Sequence, residues 1–179
     1  TRMCTPETRA STMSPSNGVG RDRTVMAVSD DLQYLVLAAG VGDLGGPHGT
    51  QTPTEIVDAG TGPRHQPTAG KLAENLKAAG IQPGDVTTVV LTHGHPDHLW
   101  GVLDAGDNPI YQRASYVVSA REWDLWADPN VLQRLPAALP RERIVGGAQS
   151  HFARIKDKVR RVRGGDEIIN GIRVLETPG

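Results

Sequence analysis

The 179-residue sequence predicts an α/β (α+β) fold, and three patterns carry that expectation. Strand-length apolar runs alternate with stretches whose apolar residues recur at helical spacing. One run, Val86–Leu91 (Val-Thr-Thr-Val-Val-Leu), is almost continuously apolar and β-branched, the pattern of a strand buried on both faces. Glycine and proline, 21 and 13 in number, punctuate the runs at turn positions. The length suits one domain with a sizeable core. Residues 1–23, which are Thr, Ser, Pro, Arg and Gly without period, read as a flexible lead, and 24–179 as the domain.

The elements follow in order. Residues 24–28 and 33–39 are rich in β-formers and predict two strands. Residues 40–53 read as a Gly-rich loop holding His48. Residues 54–58 (Thr-Glu-Ile-Val-Asp) predict a short strand ending in the turn sequence Ala59-Gly-Thr-Gly-Pro63. Leu72, Leu76 and Ala79 predict a helix over 69–79, stopped by Gly80. Pro83-Gly84-Asp85 is a turn before the Val86–Leu91 strand. Residues 116–119 predict a strand, Ala120–Ala127 a helix, 131–139 a helix interrupted at Pro136, and 151–158 a further helix. Residues 158–163, 167–169 and 172–175 alternate strand and turn, the last two joined as a hairpin by Asn170-Gly171.

Charge and cysteine content bound the function. Nineteen basic residues against 20 acidic ones leave a net charge of −1, with no excess suited to nucleic acid or a membrane surface. No apolar run approaches the length of a membrane-spanning helix and no secretory leader is evident, so a cytoplasmic location is expected. Cys4 is the only cysteine. An intramolecular disulfide and a Cys-rich zinc site are thereby excluded, and any metal must be held by His and carboxylate.

The chemistry concentrates in His93-Gly94-His95-Pro96-Asp97-His98, directly after the buried strand. His93 and His95 are one residue apart, so in an extended segment both rings project to one side. Two imidazoles can then grip one ion, at about 2.0–2.1 Å each for zinc. Pro96 suits the first position of a helix, which places Asp97 and His98 in its opening turn. There the positive helix end favours ionised Asp97, and His98 turns in a second direction. The spacing suggests two adjacent sites, His93/His95 for one ion and Asp97/His98 for another, able to share a water or hydroxide. A lone His is ordinarily a surface or satisfied core residue. Three imidazoles and a carboxylate buried together without metal would leave many polar groups to satisfy.

Thr92-His-Gly-His-Pro-Asp-His98 after an apolar strand resembles the signature of the metallo-β-lactamase superfamily. Ile56-Val-Asp-Ala-Gly60 is similar to the strand and turn preceding that signature. The resemblance runs from residue 55 to 179, through Asn75-Leu-Lys-Ala-Ala-Gly-Ile81, Tyr116-Val-Val-Ser-Ala-Arg-Glu-Trp123 and Thr177-Pro-Gly179, while residues 1–53 depart from the pattern. Pro67-Thr-Ala-Gly-Lys-Leu72 and the helix after it look most like the branch of methyl parathion hydrolase and quorum-quenching lactonases.

The resemblance implies an αββα sandwich of which this chain holds the N-terminal half. Relatives continue past Thr-Pro-Gly with a His that is the first ion's third ligand, then a bridging Asp and a final His. It further implies a metal-dependent hydrolase of a small ester, lactone, amide or phosphotriester, acting through a metal-bridged hydroxide. Its cofactor would be two zinc ions, with iron or manganese as alternatives. His93, His95, Asp97 and His98 would be ligands, Asp97 would also position the hydroxide, and Asp58 would brace the metal loop through hydrogen bonds rather than bind metal. Two other readings stand beside this one. The first is a glyoxalase II-like thioesterase or an iron-dependent persulfide dioxygenase of the same superfamily. The second is an inactive fragment with weak metal binding. The expected partner is a small-molecule substrate, without nucleic acid or membrane, and a homo-oligomer stays open.

The remaining candidates sit outside the motif. His48, His65 and His151 lack ligand spacing and read as surface residues, with His65 the nearest to a pocket role through the loop after Asp58. Trp100 is the second pocket candidate. Trp100, Trp123 and Trp126 suit either an apolar substrate wall or, as the favoured reading, core packing. The basic residues between Arg154 and Arg163 read as a solvated face rather than an anion site.

Overall fold

A computed structural model describes residues 23–26, 35–39, 54–65, 68–137, 140–169 and 171–177. A six-stranded sheet is formed by β1 (Arg23–Met26), β2 (Leu35–Ala39), β3 (Thr54–Val57), β4 (Val86–Leu91), β5 (Ser115–Ser119) and β6 (Val159–Val162), paired in that order. The first two pairings are antiparallel, and β3 to β6 run parallel. Parallel neighbours need crossovers, and helices supply them: α1 (Leu72–Ala78) between β3 and β4, α2 (Pro96–Leu99) between β4 and β5, and α3 (Ala120–Ala127), α4 (Val131–Arg134) and α5 (Arg141–Ile155) between β5 and β6. A short hairpin of β7 (Glu167–Ile169) and β8 (Ile172–Arg173) ends the described chain.

The helices cover one face of the sheet. Ile56, Val89 and Tyr116 lie in one cross-strand row and are fully buried, and Leu91 and Val118 continue that face. Leu72, Leu76, Leu99, Trp126, Val131, Ala148 and Ile155 from the helices join the same core. The second face of β4 is covered only in part: Val90 and its row partner Val57 are half-buried, whereas Val86 and Val117 are buried. β-branched residues suit either environment, so the run of valines marks the strand without marking its cover.

Several boundaries differ from expectation. Helix α1 starts at Leu72, and Gly70 before it adopts φ 77° with no room for a Cβ against Gly62. Pro83–Asp85 is a 3-10 turn in which Gln82 and Asp85 cap one another. Helix α4 ends at Arg134, two residues before Pro136, as the ring's clash with the preceding turn requires. Helix α5 begins at Arg141, ten residues before the expected start. Its Gly146-Gly147 pair reads as a breaker, yet a Cβ on Gly147 would overlap the Trp100 ring, so this glycine admits the indole against the helix backbone. The strands of the expected hairpin pair as β7 and β8, with Gly171 at φ 83°, and Asn170 lies outside the described residues. The expected lead at 1–23, apart from Arg23 in β1, and the loop at 40–53 with His48 lie outside the described residues. No helix among the described residues is long and apolar enough to cross a membrane.

Candidate metal centre

Parallel strands present their carboxyl ends at one edge of the sheet, and the segments that leave there meet. Asp58 follows β3, Thr92 to His98 follow β4, and Ala120 to Glu122 follow β5. The register pairs Val57 with Val90 and Leu91 with Val118, which brings the three exits level. Asp58 has φ 59°, the left-handed region that Asp tolerates better than most residues. This turn lays residues 58–60 along the metal-loop helix. The Ala59 N–H donates to His98 O (2.8 Å) and the Gly101 N–H to Gly60 O (2.7 Å). A side chain at Gly101 would overlap the Ala59 carbonyl.

The Asp58 carboxylate is buried and accepts three hydrogen bonds from the loop. Thr92 donates its backbone N–H to Oδ1 at 2.8 Å and its hydroxyl to Oδ2 at 2.8 Å. His98 donates its Nδ1–H to Oδ2 at 2.7 Å. A threonine hydroxyl has one proton, and here it faces a carboxylate that can only accept. Thr92 Oγ1 is therefore the acceptor in its 3.0 Å contact with His93 Nδ1. Through these contacts Asp58 fixes both His93 and His98 with the proton on Nδ1 and the lone pair on Nε2, the tautomer a metal ligand needs. His93 is held below its ordinary pKa, chiefly by burial and then by the neighbouring His98 and His95 rings, so it stays neutral at physiological pH.

The donors come in two facing pairs. His93 Nε2 lies 3.1 Å from His95 Nδ1. His98 Nε2 lies 3.2 Å from Asp97 Oδ2. The His93 and His98 rings are 4.0 Å apart, so the pairs abut. Two nitrogens on one tetrahedral zinc at about 2.0–2.1 Å stand about 3.3 Å from each other. The spacing of His93 and His95 fits that requirement, and each pair needs a shared proton or a cation between its facing lone pairs. Among the described residues no three His, Cys, Asp or Glu side chains form a group able to hold one ion. The described donors are two and two.

Two residues overlooked by the motif complete the surroundings. Glu122 Oε2 accepts from the Gly94 N–H and from Trp126 Nε1–H, both at 2.8 Å. Trp126 packs edge-on to His95 with ring centroids 6.0 Å apart. A Cβ on Gly94 would overlap the Trp126 indole, so only glycine fits between His93 and His95. The signal lay in topology: Glu122 and Trp126 share a face of α3, and α3 leaves the strand beside β4.

The other candidates fall elsewhere. Trp100 is a core residue, 7% exposed, rather than a pocket wall. It stacks on His151 (5.6 Å, 8° between planes), lies beneath Arg143, and meets His65 edge-on at 6.0 Å. His151, expected at the surface, is buried, and its Nδ1–H donates to Gly147 O at 2.7 Å. Burial holds it below its ordinary pKa. His65 is half-buried against Trp100, and the rings around the histidine cluster are its own members and Trp126. Trp123 and Trp126 wall an apolar groove of about 220 Å³ between α3 and α5, with Phe152 opposite. The basic run makes contacts within the fold: Lys158 donates to Gln112 O, Arg160 to Ile168 O at 2.5 Å, and Arg161 pairs with Asp124 at 3.7 Å.

Comparison with known proteins places this geometry. Residues 48–179 match the family model of the metallo-beta-lactamase superfamily. Metallo-beta-lactamase domain-containing protein 1 of Rattus norvegicus is 42% identical over 64 residues, 36% of this chain and 22% of that protein. The solved structure of AidC, a dizinc quorum-quenching lactonase in complex with a product, superposes with a TM-score of 0.63 at 21% identity, covering 83% of this chain and 46% of its own. That of the hydrolase AbOPH gives 0.62 at 25% identity, covering 81% and 45%. The chain thus spans about half the length of these two structures and about a fifth of the rat protein. On its sheet order, its histidine loop and the family match, the chain belongs to the metallo-beta-lactamase superfamily, whose members are mostly hydrolases and generally bind metal ions, often zinc.

Proposed function

We propose that this chain carries the ligand loop of a dinuclear zinc hydrolase acting on a small ester, lactone, amide or phosphotriester. One observation supports the reading above the others: the two abutting donor pairs, His93/His95 and Asp97/His98, with their tautomers set from behind by Asp58. His93 Nε2 and His95 Nδ1 would hold one ion, and His98 Nε2 and Asp97 the other. Bound zinc would supply Lewis acidity toward a carbonyl or phosphoryl oxygen and activate water at neutral pH. Asp97 is 41% exposed in its side chain, open to a substrate, and can orient the nucleophile or pass a proton to the leaving group. Trp126 closes the side of His95 away from water. The likeness to AidC, described as a quorum-quenching lactonase, makes lactones the first substrates to try.

The test is hydrolysis of a six-carbon acyl lactone, 4-nitrophenyl acetate and a dialkyl aryl phosphate by the zinc-loaded natural protein and its His95→Ala variant. The proposal expects turnover of at least one substrate and a loss of 100-fold or more, on the order of 2.7 kcal/mol, in the variant. Unchanged hydrolysis in His95→Ala would remove the loop from the mechanism. Iron in the isolated protein together with persulfide oxidation would replace the hydrolase reading by the dioxygenase one.

A further inference from the structure

Glu122 stands behind the histidine loop, and both of the hydrogen bonds it accepts come from groups that cannot bind metal. Its Oε2 accepts from the Gly94 N–H and from Trp126 Nε1–H, each at 2.8 Å. The Gly94 N–H belongs to the first of the two peptides that join His93 to His95, so holding it restrains the backbone from which both rings leave. Trp126 is 2% exposed and cannot swing away, and it faces both Gly94 and the His95 ring. The loop is therefore clamped from two sides. Asp58 holds Thr92 and His98 from the β3 side, and Glu122 holds Gly94 from the α3 side.

We propose that Glu122 is a positioning residue of the metal loop: by accepting from Gly94 and Trp126 on one oxygen, it holds His93 Nε2 and His95 Nδ1 converged before metal arrives. The proposal rests on the reading of these two histidines as ligands of one ion. It requires reach and acceptor geometry, not the negative charge itself. A free Gly94 amide would let the loop rotate, and the two nitrogens would no longer stand at ligand spacing. Partners of this kind, one contact removed from a metal, typically change its affinity by about 10- to 100-fold when lost.

The experiment compares zinc affinity, by competition with a chromophoric chelator, in wild type, Glu122→Gln, Glu122→Asp and Glu122→Ala. The amide resonance of Gly94 and the indole N–H resonance of Trp126 are followed in the metal-free proteins. Gln keeps the acceptor oxygen at the same reach, whereas Asp keeps the charge one methylene short. We expect Gln within about threefold of wild type, with both N–H resonances retained, and Asp and Ala at least tenfold weaker with both resonances shifted upfield. If Ala does not fold, the Gln and Asp pair carries the comparison. Equal affinity in all variants overturns the proposal, and so does a pattern in which Asp retains affinity and Gln loses it. A wild type that binds no zinc while its Gly94 and Trp126 resonances still respond to Glu122→Asp overturns the ligand reading, and the proposal with it.

Discussion

Replacing Asp58 by alanine is the perturbation that most burdens this fold. The carboxylate is 6% exposed and accepts from Thr92 N–H, Thr92 Oγ1–H and His98 Nδ1–H at 2.7–2.8 Å. Removing it leaves the Thr92 amide and the His98 ring N–H without their acceptor, at about 1–3 kcal/mol for each group that stays dry. Alanine at φ 59° adds a smaller cost, because it lacks the short polar side chain through which Asp tolerates this region. Water reaching the half-exposed His98 offsets part of this. The net expectation is about 3–5 kcal/mol, the sum of these losses less the solvent offset. For a chain of this size that is a fall of about 6–20 °C in Tm. Asp58→Asn keeps an acceptor oxygen and the tolerance of positive φ, so its loss should be about 1–2 kcal/mol. Thermal and urea unfolding of the three proteins, in the absence of metal, read this directly. An Asp58→Ala protein melting within about 2 °C of wild type would refute the reasoning, since it would mean that the loop does not depend on this brace.

Two further outcomes follow from the packing. Gly94→Ala places a methyl group into the Trp126 indole, so it should destabilise by about 1–3 kcal/mol and change the near-ultraviolet dichroism of the tryptophans; unchanged spectra would contradict the close approach. His151 titrates below 6.5 because of its burial, so between 6.5 and that lower value the unfolded chain takes up a proton that the folded chain refuses. Its contribution is complete above pH 6.5 and is lost as pH falls through that window. The slope of stability against pH should therefore be shallower in His151→Phe, by up to about 1.4 kcal/mol per pH unit, and an unchanged slope would count against burial as the cause.

Much of the candidate centre is legible in the sequence because it is local. His93, His95, Asp97 and His98 lie within six residues after a β-branched strand, and their two-and-two spacing follows from an extended segment entering a helix. Helix α3 and the β7–β8 hairpin are equally local and readable to within a residue or two. What escaped depends on contacts between distant segments. Glu122 lies 28 residues from Gly94, and neither position marks the other by spacing. His151 follows Ser150 in a run without ligand spacing, and its place in the core, stacked on Trp100, is set by a residue 51 positions away. The first ten residues of α5 were hidden by Gly146-Gly147, and Gly147 is there for the Trp100 ring rather than to end the helix. Local pattern carries the ligands, and tertiary packing carries their supports.

The central claim, that His93, His95 and His98 present metal-ligating nitrogens, is tested most directly by ring-nitrogen NMR of the 15N-histidine-labelled chain during zinc titration. The account predicts that zinc shifts His93 Nε2, His95 Nδ1 and His98 Nε2, while the His65 and His151 rings stay unchanged. It predicts also that His93 and His98 carry their proton on Nδ1 before zinc is added. Zinc that leaves these three rings unmoved, or that moves only His65 and His151, would contradict it.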